Sequence, residues 1–137
     1  MASTAEPSSF ACALSDIAAR AGEILMRHYA AETIASRKKD DFSPVTAADE
    51  EAESFILAEL LKLTPDVAVI AEEEVASGHI QEIGTLFFLV DPLDGTKEFI
   101  NRNGEFTVNI AEIVDGEPVR GVDYAPEKGR LWVGETP

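Results

Sequence analysis

Residues 85–96, TLFFLVDPLDGT, bring a run of apolar residues directly up to two acidic ones. Residues 85–90 are almost wholly apolar, which predicts a buried strand that is covered on both faces. Pro92 is expected to form a turn where this strand stops. Asp91 and Asp94 therefore follow the strand as two carboxylates three positions apart.

The turn after this strand combines groups that bind a metal ion with groups that bind a phosphate. If a helix begins at Thr96, the backbone N–H groups of Gly95 and Thr96 are free to point at an anion. The two carboxylates, with the Leu93 carbonyl as a further oxygen ligand, suit Mg²⁺, which prefers oxygen ligands. An Asp-rich turn that only caps a helix is the alternative that the spacing leaves open.

A first amphipathic helix is predicted well before this strand. Apolar residues recur every three or four positions over residues 14–25, which predicts one buried stripe. Ser8 or Ser9 is the expected N-cap, and the helix should end near Tyr29. Residues 33–41, polar with a basic centre, are predicted to form a loop or a short hairpin.

A second helix and a second buried strand are predicted between residues 44 and 71. Pro44 is expected to set up the helix, and Thr46 is a plausible N-cap. Asp49 lies in the first turn, where the helix dipole stabilises negative charge. The sequence Thr64-Pro65-Asp66 should end this helix, and residues 67–71 read as a short strand.

The last third of the chain predicts a meander of strands. Residues 106–114 alternate in polarity, and Asp115-Gly116 is a strong signal for a two-residue hairpin. Residues 118–124 and 130–133 read as the next two strands. The expected fold class is therefore α+β, with two N-terminal helices packed on a mostly antiparallel sheet whose last strand leaves an open edge.

A second acidic cluster, Glu72-Glu73, follows the strand at residues 67–71. If the two strand ends lie side by side, Glu72 is brought near Asp91. A solvated acidic loop is the alternative, since it is the usual fate of a run of charges. Asp49 is a third candidate, although its place in a first helical turn also explains it.

Composition narrows the functional class. The chain has 137 residues and a formal net charge of −15, with a pI near 4.3, which argues against a nucleic-acid partner and against anionic lipid. The single cysteine, Cys12, cannot form an intrachain disulfide, and no apolar run is long enough to span a membrane. We expect a cytoplasmic location, with peripheral attachment to the inner membrane as an open alternative.

One class of phosphatase is disfavoured by the spacing of the acids. Haloacid-dehalogenase-type enzymes carry an Asp nucleophile and a second Asp two positions on, whereas Asp91 and Asp94 are three positions apart. The strand also comes late, after two helices and another strand. The pattern favours attack by an activated water over an aspartyl-phosphate intermediate.

Three segments together resemble the inositol monophosphatase superfamily of Mg²⁺-dependent, Li⁺-sensitive phosphatases. They are residues 43–49 (SPVTAAD), residues 70–73 (IAEE) and residues 91–96 (DPLDGT). The longer stretch 91–110 is similar to the CysQ-type branch, the 3′(2′),5′-bisphosphate nucleotidases, in having Lys-Glu-Phe at 97–99. The resemblance runs from about residue 10 to residue 133.

This resemblance implies a set of site residues. Glu72, Asp91, Asp94 and the Leu93 carbonyl would be metal ligands, with two or three Mg²⁺ ions in a complete enzyme. Asp49 and Thr96, together with Glu72, would be catalytic, Thr96 by orienting the attacking water. The amides of Gly95 and Thr96 would bind the substrate phosphate.

The resemblance also implies an activity, and it implies which part of the family's fold this chain would form. The expected reaction is hydrolysis of adenosine 3′,5′-bisphosphate, a small-molecule substrate, to AMP and phosphate. An inositol-1-monophosphatase and a non-catalytic half-domain are the alternatives. Family members carry a later Trp-Asp motif that is not found here, so residues 1–137 would be the N-terminal metal-binding half of the αβαβα sugar-phosphatase fold. We expect this half alone to be inactive or nearly so, and to self-associate through its open sheet edge.

Overall fold

The structure, a computed structural model, describes residues 8–30, 36–38, 44–71, 85–100 and 104–136. Helix α1 spans Ser9–Tyr29, α2 spans Ala47–Leu63, and the short α3 spans Thr96–Ile100. Both long helices lie where the sequence predicts them. The Ser8 side chain caps α1 by accepting a hydrogen bond from the Ala11 backbone N–H at 3.1 Å.

The strands form two sheets. A small antiparallel pair joins β1 (Ser36–Lys38) to β2 (Pro44–Thr46). The main sheet has five strands in chain order, and only its β3–β4 pair is parallel. Its strands are β3 (Ala68–Ala71), β4 (Leu86–Asp94), β5 (Thr107–Val114), β6 (Glu117–Ala125) and β7 (Arg130–Glu135). The α+β class and the mostly antiparallel sheet are confirmed.

The hairpin between β5 and β6 has the predicted two-residue turn. Asp115 has a φ of 51° and Gly116 a φ of 81°, as this kind of turn requires. The turn puts Val114 opposite Glu117 and so aligns the two strands. Together with a register shift between Glu112 and Ile113, this turn places Asp123 opposite Asn109.

The hydrophobic core lies between the two long helices and one face of the main sheet. Helix α1 packs over β5 and β6, and α2 packs over β4. The largest fully buried side chains of this core are Phe88, Phe99, Phe106, Leu14, Leu25, Ile56, Leu60 and Ile110. Among the described residues, no helix is long and apolar enough to cross a membrane.

The opposite face of the sheet, which we call the outer face, is not covered by any described element. Leu89 is 48% exposed and Trp132 51% exposed there. The prediction that β4 is covered on both faces is therefore wrong within the described part of the chain. Its apolar alternate residues Phe88 and Val90 face the helices, and Leu89 faces outward.

Two boundaries differ from the sequence expectation. β4 does not stop before Asp91: Asp91 pairs with Asn109 and Asp94 pairs with Thr107, with an irregular register between them. Pro44 begins strand β2 and not a turn that leads into the helix, and α2 starts at Ala47 directly after that strand. In both places the difference comes from cross-strand pairing, which extends β4 to Asp94 and forms β2, and which has no signal along the local sequence.

A charged network ties the start of α1 to the far edge of the sheet. The Ser8 hydroxyl and backbone N–H donate to the Glu135 carboxylate at 2.5 and 2.9 Å. Arg120 donates to Glu135 and also to Glu112, and its guanidinium lies 4.9 Å from the Phe10 ring centroid. The hydrogen bonds from Ser8, and then from Arg120, lower the pKa of Glu135 to about 2.

Candidate active site

The site is built on the carboxyl end of β4, beside the end of β3. The parallel register pairs Ala71, the last residue of β3, with Val90. Asp91, the next residue of β4, therefore lies beside the end of β3. This is the arrangement that the predicted approach of Glu72 to Asp91 requires. Glu72 and Glu73 lie outside the described residues, so their predicted roles stay predictions.

The Asp91 side chain folds back on its own turn. The Leu93 backbone N–H donates to Asp91 Oδ1 at 3.3 Å. Pro92 and Leu93 are buried, whereas Asp94 is exposed at the end of the strand. The Asp91 side chain is thus partly buried, whereas the Asp94 side chain is open to solvent.

Gly95 fills a position that another residue would strain. Its φ is +96°, and a Cβ added there would lie 2.7 Å from the Glu105 carbonyl oxygen and 3.4 Å from Phe106 Cα. The Gly95 carbonyl accepts a hydrogen bond from the Phe99 N–H at 2.9 Å, which closes the first turn of α3. The start of α3 at Thr96 confirms the predicted helix boundary.

Thr96 joins two distant parts of the chain. Its hydroxyl lies 3.3 Å from Asp49 Oδ1, in the first turn of α2, and 3.4 Å from the Leu93 carbonyl oxygen. Asp49 is the only charged side chain among the described residues to be buried, at 2% exposure. A buried carboxylate is stable only if it is hydrogen-bonded, and Thr96 supplies one such donor.

Two cavities flank this turn. A groove of about 650 Å³ crosses the outer face and has Asp91, Asn109 and Asp123 in its wall. A pocket of about 340 Å³ is lined by Asp94 and Gly95 and by residues of the β6–β7 turn. Trp132 lines both cavities, the groove that contains Asp91 and the pocket that contains Asp94.

The charge of the smaller pocket favours cations. Asp94, Glu98 and Glu105 line it, and among the described lining residues Lys128 is the one basic side chain, bonded to Glu105 at 2.8 Å. Such a balance would disfavour an unaccompanied phosphate. It suits an anion that arrives with metal ions.

The donor atoms at the turn are of the type that a hard divalent cation takes. They are the Asp91 and Asp94 carboxylates and the Leu93 carbonyl, with no nitrogen or sulfur among them. Within residues 8–30, 44–71, 85–100 and 104–136, no three His, Cys, Asp or Glu side chains are grouped closely enough to hold a metal ion by themselves. The oxygen donors fit the predicted metal, and the set of side chains is incomplete without Glu72 or a further ligand.

Of the predicted site residues, the structure brings Asp49, Thr96 and Leu93 into contact and places Asp91, Asp94 and Gly95 on the same turn. Asn109 and Trp132 also line the cavities beside this turn, and no local motif marks them. The cross-strand register is the only signal for them: Asp91 pairs with Asn109, Asn109 with Asp123, and Asp123 with Trp132. Reading that register needs the pairing of β4 with β5, which the sequence does not specify.

Known proteins resemble this chain in sequence. The profile of the inositol monophosphatase family matches residues 6–136. The 3′(2′),5′-bisphosphate nucleotidase CysQ of Salmonella typhimurium is 51% identical over 128 residues, which cover 87% of this chain and 52% of that protein. The chain thus spans about half the length of the curated relatives it matches.

Solved structures resemble it in fold. CysQ from Bacteroides thetaiotaomicron, described as a bacterial member of the inositol monophosphatase family, has a TM-score of 0.71 and 39% identity. The match covers 93% of this chain and 46% of that one. The Thermotoga maritima IMPase has a TM-score of 0.82 and 29% identity, with 93% and 48% covered.

Proposed function

Because the chain belongs to the inositol monophosphatase family, we propose that it carries the hydrolytic site of a phosphomonoesterase. The observation that carries this proposal is the contact of the Thr96 hydroxyl with Asp49 and with the Leu93 carbonyl. It joins a buried carboxylate to a turn that holds Asp91 and Asp94. Such a turn offers oxygen ligands, backbone donors and a hydroxyl within one short segment.

The proposed substrate is adenosine 3′,5′-bisphosphate, hydrolysed to AMP and phosphate. Support comes from the 51% identity to a protein named as a 3′(2′),5′-bisphosphate nucleotidase. It also comes from Lys97-Glu98-Phe99, a sequence that resembles that branch of the family.

The phosphate would be held by the backbone at the start of α3. The N–H groups of Gly95 and Thr96 precede the first bonded turn of that helix, so they are available to an anion. Glycine at residue 95 is needed because a side chain would collide with the Glu105 carbonyl oxygen. The two amides would therefore orient the phosphoryl oxygens and leave one face of the phosphorus open to water.

Thr96 and Asp49 would hold the attacking water. When the Thr96 hydroxyl donates to Asp49, its oxygen lone pairs are left to accept a hydrogen bond from that water. A proton released by the water can pass to Thr96 as Thr96 passes its own to Asp49. As the hydroxide equivalent adds to phosphorus, the ester P–O bond breaks and its electron pair leaves with the ribose oxygen. That oxygen takes up a proton, and Asp49 gives its proton back through Thr96, so that AMP and phosphate form and the carboxylate is regenerated.

Mg²⁺ is the proposed cofactor. Asp91, Asp94 and the Leu93 carbonyl would hold it, with Glu72 as the further ligand that the sequence predicts. When bound, two or three such ions would neutralise phosphoryl charge and lower the pKa of a water. The acidic pocket around Asp94 is consistent with this requirement for cations.

The test uses the 137-residue chain and two readouts. Phosphate release from adenosine 3′,5′-bisphosphate and from inositol 1-phosphate is measured with Mg²⁺ and with EDTA. Fluorescence of Trp132, the one tryptophan of the chain, follows binding of Mg²⁺ and inorganic phosphate. Asp94→Asn is the test variant. Asp115→Asn, an exposed site in the β5–β6 turn, matches its change in charge.

We expect a saturable fluorescence response to Mg²⁺ with phosphate that Asp94→Asn loses and Asp115→Asn keeps. Release of phosphate should be slow or absent in this half-length chain, and binding without release would support the half-domain alternative. Faster release from inositol phosphate would overturn the nucleotidase assignment. A wild-type chain with no response to Mg²⁺ and phosphate would overturn the proposed site.

A further inference from the structure

Three aromatic rings meet beneath the turn that carries Gly95 and Thr96. Tyr29 ends α1, Phe99 lies in α3, and Phe106 precedes β5. The ring centroids of Tyr29 are 5.4 Å from Phe99 and 5.0 Å from Phe106. Phe99 and Phe106 are 4.9 Å apart and nearly perpendicular. These distances are typical of favourable aromatic pairs. We call the three residues the aromatic cluster.

Two members of the aromatic cluster, Phe99 and Phe106, lie against the backbone of Gly95. The Phe99 N–H donates to the Gly95 carbonyl at 2.9 Å. On the other side, Phe106 Cα would lie only 3.4 Å from a Cβ on Gly95. Phe99 and Phe106 are almost wholly buried. A shift of either ring therefore moves the backbone on one side of Gly95, because densely packed groups cannot move alone.

The last turn of α1, which ends at Tyr29, also contacts α2. Glu51, in the second turn of α2, lies 2.9 Å from His28 Nε2 and 3.2 Å from Arg27 Nη2. The hydrogen bond from His28 lowers the pKa of the Glu51 carboxyl, so this carboxyl stays charged. The last turn of α1 thus contacts the helix that carries Asp49 on one side and, through Tyr29, the helix that carries Thr96 on the other.

We propose that Tyr29 is a positioning residue for the Asp49–Thr96 contact. Its ring supports Phe99 and Phe106 from the helix layer, and they in turn hold the Gly95–Thr96 backbone at the distance that the contact requires. Tyr29 is not among the residues proposed to hold the metal, the phosphate or the water. The inference rests on the proposed function, since that contact is proposed to hold the attacking water.

The test compares three variants by amide hydrogen exchange and by Trp132 fluorescence. Tyr29→Ala removes the ring, and Tyr29→Phe keeps the ring without the hydroxyl. Leu60→Ala removes a fully buried side chain of α2 and serves as a control for lost core packing. The exchange rate of the Phe99 amide, relative to that of Ile110 in β5, reports on the Gly95 turn.

Tyr29→Ala is expected to accelerate exchange at Phe99 about tenfold more than at Ile110, because two aromatic pairs are lost next to that amide. It should also weaken the Mg²⁺ and phosphate response, whereas Tyr29→Phe should restore both. Leu60→Ala should lower the melting temperature without that selectivity.

Equal acceleration at Phe99 and Ile110 in Tyr29→Ala, or selective acceleration in Leu60→Ala, would overturn the proposal. A wild-type chain that binds neither Mg²⁺ nor phosphate contradicts the proposed function instead, and the exchange ratio still decides whether Tyr29 positions the turn.

Discussion

At the scale of single residues, the buried carboxylate of Asp49 is the group that most needs hydrogen-bond donors around it. It is 2% exposed, and the Thr96 hydroxyl is 3.3 Å away. Loss of a donor to a buried charged group costs more free energy than the bond itself contributes, because the group cannot regain water. The hydrogen bond between Thr96 and Asp49 therefore couples the folding of α2 to the folding of the turn between β4 and α3.

The variant Thr96→Val should destabilise the chain, since it keeps the shape of threonine and removes the hydroxyl. We expect the free energy of unfolding to fall by about 1–3 kcal/mol in urea denaturation. Thr96→Ser, which keeps the hydroxyl, should recover most of that loss. Equal losses for valine and serine would show that the methyl group, and not the hydrogen bond, is what the site needs.

A second prediction concerns Gly95 and has a matched control at Gly129. Both have positive φ, at 96° and 63°, but a Cβ at Gly129 meets nothing within 4 Å. Gly95→Ala should therefore destabilise by about 1–3 kcal/mol beyond Gly129→Ala, because both variants carry backbone strain and only Gly95→Ala adds overpacking. Thermal unfolding of the two variants gives the comparison, and similar melting temperatures would contradict the close contact with Glu105.

At the scale of elements, α1 and β6 approach each other closely at Gly22. A Cβ there would lie 2.3 Å from the Tyr124 ring. Alanine normally stabilises a helix by about 1 kcal/mol relative to glycine. Gly22→Ala should nevertheless destabilise, since overpacking costs about 1–3 kcal/mol.

The clash at Gly22 can be separated from helix propensity by a double-mutant cycle. In a Tyr124→Leu background the ring is gone, so Gly22→Ala should become neutral or stabilising. The free energy of unfolding is measured for the four proteins. If alanine destabilises both backgrounds equally, the close approach of α1 to β6 is not the cause.

The link between α1 and β7 should weaken in acid. The pKa of Glu135 is lowered to about 2 by its hydrogen bonds from Ser8 and Arg120. A carboxyl with a lowered pKa in the folded state stabilises above its unfolded pKa, near 4.5, and this stabilisation is lost as the pH falls toward 2. Glu135→Gln should therefore melt below wild type at pH 7, and the gap should close near pH 2. Glu117→Gln, in the neighbouring strand, is the control, and a gap that is constant with pH would contradict the assignment.

The elements themselves were largely predictable, and their mutual contacts were not. The capped helix α1, the hairpin at Asp115-Gly116 and the start of α3 all follow from local rules on spacing and turn chemistry. The extension of β4 to Asp94 depends on pairing with Thr107, which has no local signal. The Asp49–Thr96 contact joins residues 47 positions apart. Its two members were predicted as site residues, and their contact required the fold.

At the scale of the whole molecule, net charge and the open sheet face act against each other. The charge of −15 repels a second copy, whereas exposed Leu89 and Trp132 on the outer face favour association. We expect light scattering to show self-association that grows with NaCl, because salt screens the repulsion. Leu89→Lys should abolish it. The same change at Leu61, which is 62% exposed on α2, should not. A monomer at every salt concentration would contradict this expectation.

The bond between Ser8 and Glu135 has a consequence for the order of events during synthesis. Its partners are 127 positions apart, so the cap of the first helix is completed by the last strand. At about 5–20 residues per second, translation leaves an interval on the order of ten seconds between them. Through that interval the apolar stripe of α1 leaves the ribosome before β5 and β6, the strands that will cover it, have been made. A nascent α1 is thus a surface that chaperones can bind until β5 and β6 have been made, and its bond to β7 forms last.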